Sequence, residues 1–385
     1  MNSKNRIYLD YNSTTPCDPR VVEEMLPYFS EIFGNSSSSS HSFGWDAEEA
    51  VDIARTHVSE LINSKQNQLY FTSGATEAIN IGLIGTCEAC KKIGNHIITC
   101  KTEHRVVLNT CQELEKRGFR ITYLDVDTNG KIDLEELDEA ICIDTILVCF
   151  MYANNETGII HPIQNISQMA HKRGVKVMSD VTQAVGKIPF DIESSGIDIA
   201  AFSAHKMYGP KGIGALYLRS RSADNISPIL FGGGHEKGLR PGTLNIPAIV
   251  GFGAASKLCL EAMNQEGHRL KEFRDLIEHE LMQLGDTKIN SSTASRLPHM
   301  SNITFSGIDG SKLLRRMGNL ALSQGSACSS GTIEPSHVLL SLGHSKEAAL
   351  SSIRIGLGRF TTLQEVEITI ETIKYAVKSL REVLI

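Results

Sequence analysis

Short runs rich in β-branched and aromatic residues alternate with helical patterns between Leu69 and Leu218. Such alternation is typical of parallel strands joined by crossover helices. The pattern predicts helices near residues 74–92, 104–117, 133–140 and 162–173. It predicts seven strands, at Leu69–Thr72, Asn95–Thr99, Arg120–Leu124, Thr145–Phe150, Val175–Ser179, Asp198–Ser203 and Gly214–Leu218. We therefore expect an α/β fold whose seven-stranded, mainly parallel sheet is covered by helices on both faces.

The rest of the chain predicts a smaller α+β unit. After the Gly-rich segment Phe231–Gly234, an amphipathic helix pattern runs from about Ile246 to Leu284, and short strands and helices follow, ending in a helix over Gln364–Val383. A chain of 385 residues suits one large domain that carries a smaller one. We expect a large domain over residues 15–245 and a small domain made of residues 1–14 and 246–385.

Composition and charge narrow the classes of partner. The chain is 41% hydrophobic and 21% charged, as in soluble globular proteins, and no apolar stretch approaches the ~20 residues that span a bilayer. Its net charge is −6 and its Lys and Arg residues are scattered singly, so we expect no direct nucleic-acid or membrane binding. The N-terminus lacks the apolar run of a secretory signal, and nine cysteines, an odd number, favour free thiols in a reducing compartment. A cytoplasmic protein is predicted.

Candidate chemical groups follow three of the predicted strands. In open α/β sheets ligands bind beyond the carboxyl ends of the strands, so these positions are the ones to inspect. The segments are Ser73-Gly74-Ala75-Thr76, Asp180 with Gln183, and Ser203-Ala204-His205-Lys206. The first can hold a phosphate at a helix N-terminus, although such turns are common, and an acid at a strand end is often only a helix cap.

Taken together, the three segments indicate pyridoxal 5'-phosphate (PLP). A lysine at a buried strand end is costly unless it is paired or used covalently, and a Schiff base at Lys206 removes that cost. Asp180 can pair with a protonated ring nitrogen and so make the cofactor a strong electron sink. Ser203 and His205 add phosphate donors beside the lysine. The joint pattern is far more specific than any of its parts.

The chain resembles the cysteine desulfurases of the NifS/IscS-like group, class V aminotransferases among the fold-type I PLP enzymes. The resemblance spans nearly the whole chain. Its motifs are Tyr8 to Pro16, Phe71 to Glu77, Thr102-Glu103-His104, Asn154 to Gly158, Asp180 to Gln183, Ser203 to Lys206, Gly232 to Glu236, Arg240 to Thr243, Gly325 to Cys328 and Ser352-Ile353-Arg354.

The resemblance implies a role for each matching position. Lys206 would form the aldimine, Asp180 would pair with the pyridine nitrogen, and Gln183 would bind the phenolate oxygen. His104 would stack on the ring and relay protons. Phosphate contacts are implied for Ala75, Thr76, Ser203 and His205. In a homodimer, Thr243 of the partner subunit would join them. Contacts with the substrate carboxylate are implied for Asn155 and Arg354.

Cys328 decides which PLP reaction is expected. Small residues surround it, from Gly325 to Gly331, so a thiol on a mobile loop is predicted and not a buried one. The resemblance implies that Cys328 takes sulfur from L-cysteine as a persulfide, leaves L-alanine, and passes the sulfur to an acceptor or scaffold protein for iron–sulfur cluster assembly or another thiolation.

Other functions remain open on the sequence. The alternatives are a selenocysteine lyase or an aminotransferase of the same fold, and an aminotransferase would keep its activity without Cys328. A non-catalytic assembly scaffold is disfavoured because Lys206, Asp180 and His104 are all present.

Two motifs suggest metals but are better explained otherwise. Residues Asp125 to Glu136 fit a calcium-loop template, yet the preceding run is β-rich. Cys87-x-x-Cys90 lies in a helical pattern without a second pair, which favours packing. No metal is expected.

Overall fold

The computed structural model describes residues 6–219, 226–325 and 334–382. The strands in these ranges are β1 (Ile7–Tyr8), β2 (Leu69–Thr72), β3 (His96–Cys100), β4 (Arg120–Leu124), β5 (Thr145–Cys149), β6 (Lys176–Asp180), β7 (Ile199–Ser203), β8 (Gly214–Leu218), β9 (Thr287–Ile289), β10 (Met300–Phe305), β11 (Leu320–Ala321) and β12 (Ser352–Gly356).

The helices in the same ranges are α1 (Pro19–Met25), α2 (Pro27–Ser30), α3 (Ser42–Leu61), α4 (Ala75–Cys90), α5 (Arg105–Lys116), α6 (Leu134–Ala140), α7 (Ile163–Lys172), α8 (Ile192–Ser195), α9 (Ile246–Met282), α10 (Gly310–Arg316), α11 (His337–Ser341), α12 (Lys346–Leu350) and α13 (Leu363–Glu382).

The predicted seven-stranded sheet forms in the order β2-β8-β7-β6-β5-β3-β4. The pairs among β7, β6, β5, β3 and β4 are parallel, whereas β8 is antiparallel to both β2 and β7. The α/β class and the mainly parallel sheet are therefore confirmed. All seven predicted strands exist, and their ends agree with the prediction to within one residue.

Both faces of this sheet are covered, which explains why its strands are apolar runs. Every residue of β5 is buried, and its side chains alternate between two cores. Val148 belongs to the core shared with α3, α7 and α9, and Leu147 and Cys149 belong to the core shared with α4 and α5. A strand buried on one face would show polar residues at alternate positions.

A third core lies between the small sheets and the C-terminal helices. Strands β12, β10 and β9 form an antiparallel sheet, and β1 pairs with β11 in parallel. Helix α9 joins two cores, because Ile249 and Phe252 pack in the large one, and Ile277 and Leu281 pack in the third. The division into two domains at the residues given above stays a prediction.

Helix α9 is the one helix in the described ranges that is long and apolar enough to cross a bilayer by length and composition alone. In its most apolar window 56% of the surface is buried inside the protein, and the helix packs against α1, α3 and α13. It is thus a core helix of a soluble fold.

The two metal-like motifs have structural explanations. The segment from Asp125 follows strand β4 instead of a helix, and a bridge between Val126 and Ile132 closes its turn. Asp133, at its far end, caps α6. Cys87 and Cys90 are both buried in α4, where burial raises the pKa of each thiol.

Candidate active site

A cavity of about 450 Å³ opens beyond the carboxyl ends of β2, β6 and β7. Most of its lining residues end or follow these three strands or the neighbouring strands β3 and β5, as expected for an open α/β sheet. Nine of the residues singled out from the sequence line it: Ala75, Thr76, His104, Asn155, Asp180, Gln183, Ser203, His205 and Lys206.

Lys206 ends a short 3-10 turn, Ala204–Lys206, that begins directly after β7. Its Nζ donates to the carbonyl oxygens of Asn12 at 2.7 Å and of Ser13 at 2.5 Å. Burial, and next the charge of Arg354, lower the pKa of Lys206 to about 8, against the opposing charges of Asp180 and Asp10. At neutral pH a much larger fraction of this amine is therefore unprotonated and nucleophilic than in an ordinary lysine.

Asp180 is the last residue of β6 and is buried. Its Oδ1 accepts a hydrogen bond from the backbone N–H of Thr182 at 3.0 Å, which fixes the carboxylate at the cavity floor. The side chain of Gln183, one turn further on, donates from Nε2 to the Asn12 carbonyl at 3.0 Å. A fixed carboxylate at this place suits a cationic ring nitrogen.

The N-terminus of α4 forms an anion cradle at the other end of the cavity. Gly74 is its N-cap, with φ of 154°, and supplies no side-chain oxygen to the first turn. The backbone N–H groups at this end of a 16-residue helix therefore face the cavity, with the positive end of the helix dipole behind them. A Cβ at Gly214 of β8 would lie 2.7 Å from the Gly74 Cα, so the close approach of the two segments requires glycine.

Ser203, His205 and Lys211 complete the cradle. Burial, followed by the charges of Lys206 and Lys211, lowers the pKa of His205 to about 4, so its ring is neutral near pH 7. Its Nδ1 is 3.0 Å from the Thr14 hydroxyl. Hydroxyl, imidazole, ammonium and backbone N–H groups together make a donor set that suits a phosphate.

His104 is the N-cap of α5, and its Nδ1 accepts from the backbone N–H of Val106 at 3.2 Å. In the neutral ring the proton therefore lies on Nε2.

The neighbouring Glu103 is fully buried, and burial is the main cause that raises its pKa to about 8. Its carboxyl group is mostly protonated near pH 7, so it does not add a second negative charge near Asp180.

Arg354 reaches the site from β12 of the small sheet. Its Nη2 donates to the Asp10 carboxylate and to the Ser13 hydroxyl, both at 2.7 Å, and its Nη1 donates to the Asn155 carbonyl at 2.9 Å. The guanidinium is almost fully buried and is joined to the cavity through Asn155.

Thr243 is exposed and lines no part of this cavity. The other predicted site residue, Cys328, is outside the described residues.

Sequence reasoning missed several residues that form the cavity or support it. Thr14 and Lys211 line it. Thr14 stands in the N-terminal motif Tyr8 to Pro16, and Lys211 stands in a Gly-rich stretch, Gly209 to Gly214, that follows Lys206. Met151 and Val106 add apolar surface. Lys187, which lies behind Gln183, carries no sequence signal.

The residues present fit PLP on three observations. Lys206 is a buried amine with a lowered pKa, Asp180 is a buried carboxylate held at a strand end, and the uncapped N-terminus of α4 offers donors for a phosphate. The three lie in one cavity. A doubly wound sheet with this arrangement at its carboxyl edge defines the fold-type I PLP-dependent enzymes.

Comparison with known proteins agrees with this class. The family model described as class-V aminotransferase matches residues 7–368. The chain is 47% identical over 378 residues to a protein called cysteine desulfurase IscS from Edwardsiella ictaluri (strain 93-146), covering 98% of this chain and 94% of that one. It is 46% identical over 377 residues to the protein of the same name from Anaeromyxobacter sp. (strain Fw109-5), covering 98% and 93%.

Solved structures show the same likeness. A structure titled NifS-like protein superposes with a TM-score of 0.91 at 35% sequence identity, covering 97% of this chain and 100% of the other. The chain belongs to the class-V aminotransferase family of PLP-dependent enzymes, within its cysteine desulfurases.

Proposed function

We propose that this protein uses PLP bound to Lys206 to remove sulfur from L-cysteine and places that sulfur on Cys328. The observation that carries the proposal is the single cavity that joins the Lys206 amine, the Asp180 carboxylate and the α4 cradle. The likeness to proteins named cysteine desulfurase IscS specifies the substrate and the reaction.

When bound, PLP supplies an electron sink that stabilises negative charge at the substrate Cα. Asp180 would keep the ring nitrogen protonated, and His104 would pack against the ring. Ala75, Thr76, Ser203 and His205 would hold the phosphate. The apolar side chains of Ile79, Val106 and Met151 in the cavity wall exclude water from the reacting atoms.

Arg354 binds the substrate carboxylate. Its guanidinium presents a planar fork of donors that matches a carboxylate, and Asp10 and Ser13 fix its orientation before substrate arrives. The Asn155 side chain lines the cavity beside it. The substrate is thereby held with its Cα near the Lys206 amine.

Lys206 accepts the Cα proton. A pKa of about 8 leaves part of its amine free near neutral pH, and that free amine is the base. His104, with its proton on Nε2, is placed to pass a proton within the cavity.

Cys328 receives the sulfur. The Cys328 thiolate attacks the substrate sulfur, an S–S bond forms, and the C–S bond breaks with its electron pair on the substrate carbon. That carbon is protonated and leaves as L-alanine, while Cys328 retains a persulfide.

The chain on both sides of Cys328 lies beside the cavity. The Ser336 hydroxyl donates to Glu156 Oε2 at 2.5 Å, and a Cβ at Gly325 would lie 3.0 Å from the same oxygen. Glu156 directly follows Asn155 in the cavity wall. This placement supports delivery of the thiol to the site.

We further propose a cytoplasmic homodimer that hands sulfur to an acceptor or scaffold protein. Exposed aromatic and aliphatic side chains near the N-terminus offer an apolar contact surface, formed by Leu26, Phe29, Phe33, Phe43 and Trp45. Thr243 is exposed outside this chain's cavity, as expected of a residue that serves a partner's phosphate site.

The test uses purified protein loaded with PLP. With L-cysteine and a reductant, we expect sulfide and alanine in equal amounts. Cys328→Ala should abolish alanine and sulfide formation but keep the absorbance of the Lys206-bound cofactor. Cys142→Ala, which removes an exposed thiol far from the site, is the matched control and should change neither. Undiminished alanine formation by Cys328→Ala would contradict the proposal and favour a lyase that cleaves the C–S bond without this thiol, whereas formation of the 2-oxo acid instead of alanine would favour an aminotransferase.

A further inference from the structure

Lys187 lies behind the cofactor cavity without a carboxylate partner among the described residues. It is one turn beyond Gln183, and its Nζ donates to Gln183 Oε1 at 2.6 Å. The charges that act on it most are the like charges of Lys206 and Arg354. A lysine in such surroundings costs stability, and a methionine or leucine would fill the same space without that cost.

The hydrogen bonds of Gln183 determine how its amide is oriented. The Asn12 carbonyl can only accept, so the amide nitrogen must face it, and the amide oxygen then faces the Lys187 Nζ, which donates to it. The amide nitrogen is 3.0 Å from the Asn12 carbonyl oxygen, and the same carbonyl accepts from Lys206 Nζ at 2.7 Å. Without Lys187, only the Asn12 side chain, at 3.5 Å, would hold the Gln183 oxygen.

We propose that Lys187 is a positioning residue whose hydrogen bond to the amide oxygen holds Gln183 with its N–H side toward the cofactor cavity. This inference rests on the proposed function, because the N–H side serves the ring oxygen of PLP.

The surroundings of Lys187 support a role directed at the site. Burial and the two nearby cations lower its pKa well below the usual value. On its other side is a small cavity of about 20 Å³ between helix α9 and the small sheet. The titratable and charged groups near Lys187 in the site and in this cavity are Lys206, Arg354, His205, Cys259, Tyr11, Tyr208, Glu266 and His299. Glu266 is already paired with Arg359 at 2.6 Å and does not serve Lys187.

The proposal predicts a change in the cofactor's spectrum. An amide N–H that donates to the ring oxygen stabilises its anionic form, which lowers the pH at which the Lys206-bound cofactor loses its proton. Replacing Lys187 with methionine, which matches its length, should therefore raise the midpoint of the absorbance change with pH by about half a unit to one unit. It should weaken PLP binding to the apoprotein by about three- to tenfold.

Three further variants separate positioning from a purely structural role. Lys187→Arg retains a hydrogen-bond donor, so the midpoint of its absorbance change should lie close to that of the unchanged protein. Lys257→Met, at an exposed position on α9, is the matched control and should behave as the unchanged protein. Lys187→Leu provides a second apolar replacement should Lys187→Met fail to accumulate as folded protein.

The outcomes are distinct from those of the proposed function. A midpoint within about 0.2 unit of the unchanged protein in either apolar variant, with unaltered PLP affinity, would overturn the role of Lys187. Failure of the unchanged protein to bind PLP or to form alanine would instead overturn the proposed function.

Discussion

Replacement of Lys206 by methionine should stabilise the apoprotein near pH 7 and destabilise it at high pH. The folded protein holds the pKa of Lys206 at about 8, below the ordinary 10.5. Below pH 8 the ammonium must be buried, which costs about 3 kcal/mol, since the pKa difference of about 2.5 is worth about 1.4 kcal/mol per unit. Methionine removes that cost but also removes donors from two backbone carbonyls, which costs about 1 kcal/mol each.

The sign of the pH effect follows from proton binding. Between pH 8 and 10.5 the unfolded chain binds more protons at this position than the folded one, so the stability of the Lys206 protein rises with pH in that window. We therefore expect the methionine apoprotein to be more stable by about 1 kcal/mol at pH 7, and this advantage to fall by about 2 to 3 kcal/mol by pH 10.

Urea unfolding of both apoproteins at several pH values measures the effect. Lys257→Met, at an exposed position, should show no such trend. A stability difference that stays constant from pH 7 to pH 10 would refute the account of Lys206 as a buried amine with a lowered pKa.

Three other changes test the wider site. Arg354→Gln should raise KM for L-cysteine by about 10- to 100-fold, measured as initial alanine formation, because a charge-assisted contact is lost. Gly214→Ala should weaken PLP binding at least about tenfold in absorbance titrations, because its Cβ would lie 2.7 Å from the Gly74 Cα. Gly318→Ala should not, because the nearest atom to its Cβ would be the Arg315 carbonyl oxygen at 3.6 Å, an ordinary contact distance. Arg359→Met should destabilise the protein to urea by about 3 kcal/mol at pH 7, because its guanidinium pairs with the buried Asp18 at 2.9 Å. Arg20 first, and then Arg359, hold the pKa of Asp18 below its usual 3.8, so this stabilisation is present above pH 4 and the loss should shrink as the pH falls further.

Six of the seven strands of the large sheet were predictable because they are buried on both faces, whereas the edge strand β4 is only partly buried. Burial on both faces requires a continuous apolar run, and such a run is visible in a short window of sequence. Lys206 and Asp180 were also predictable as a pair, since both follow such runs and chemical groups at strand ends converge on one edge of the sheet.

Other parts of the site depend on contacts between distant segments. Arg354 reaches the site only because β12 pairs with β10 and because Gly356 bridges to Asp10. The sequence motif marked Arg354 by resemblance, but no local pattern shows that Asp10 and Ser13 orient it.

The amino-acid sequence alone determined the α/β class, the strand ends that carry chemistry and the cofactor that they suit, because periodicity and residue type express local burial. Only the tertiary structure decided the pKa of Lys206, the neutral state of His205 and the contact between Lys187 and Gln183. The physical reason is that the charge state and orientation of a polar side chain depend on water access and on neighbours from other segments, and neither is encoded within a few residues of it.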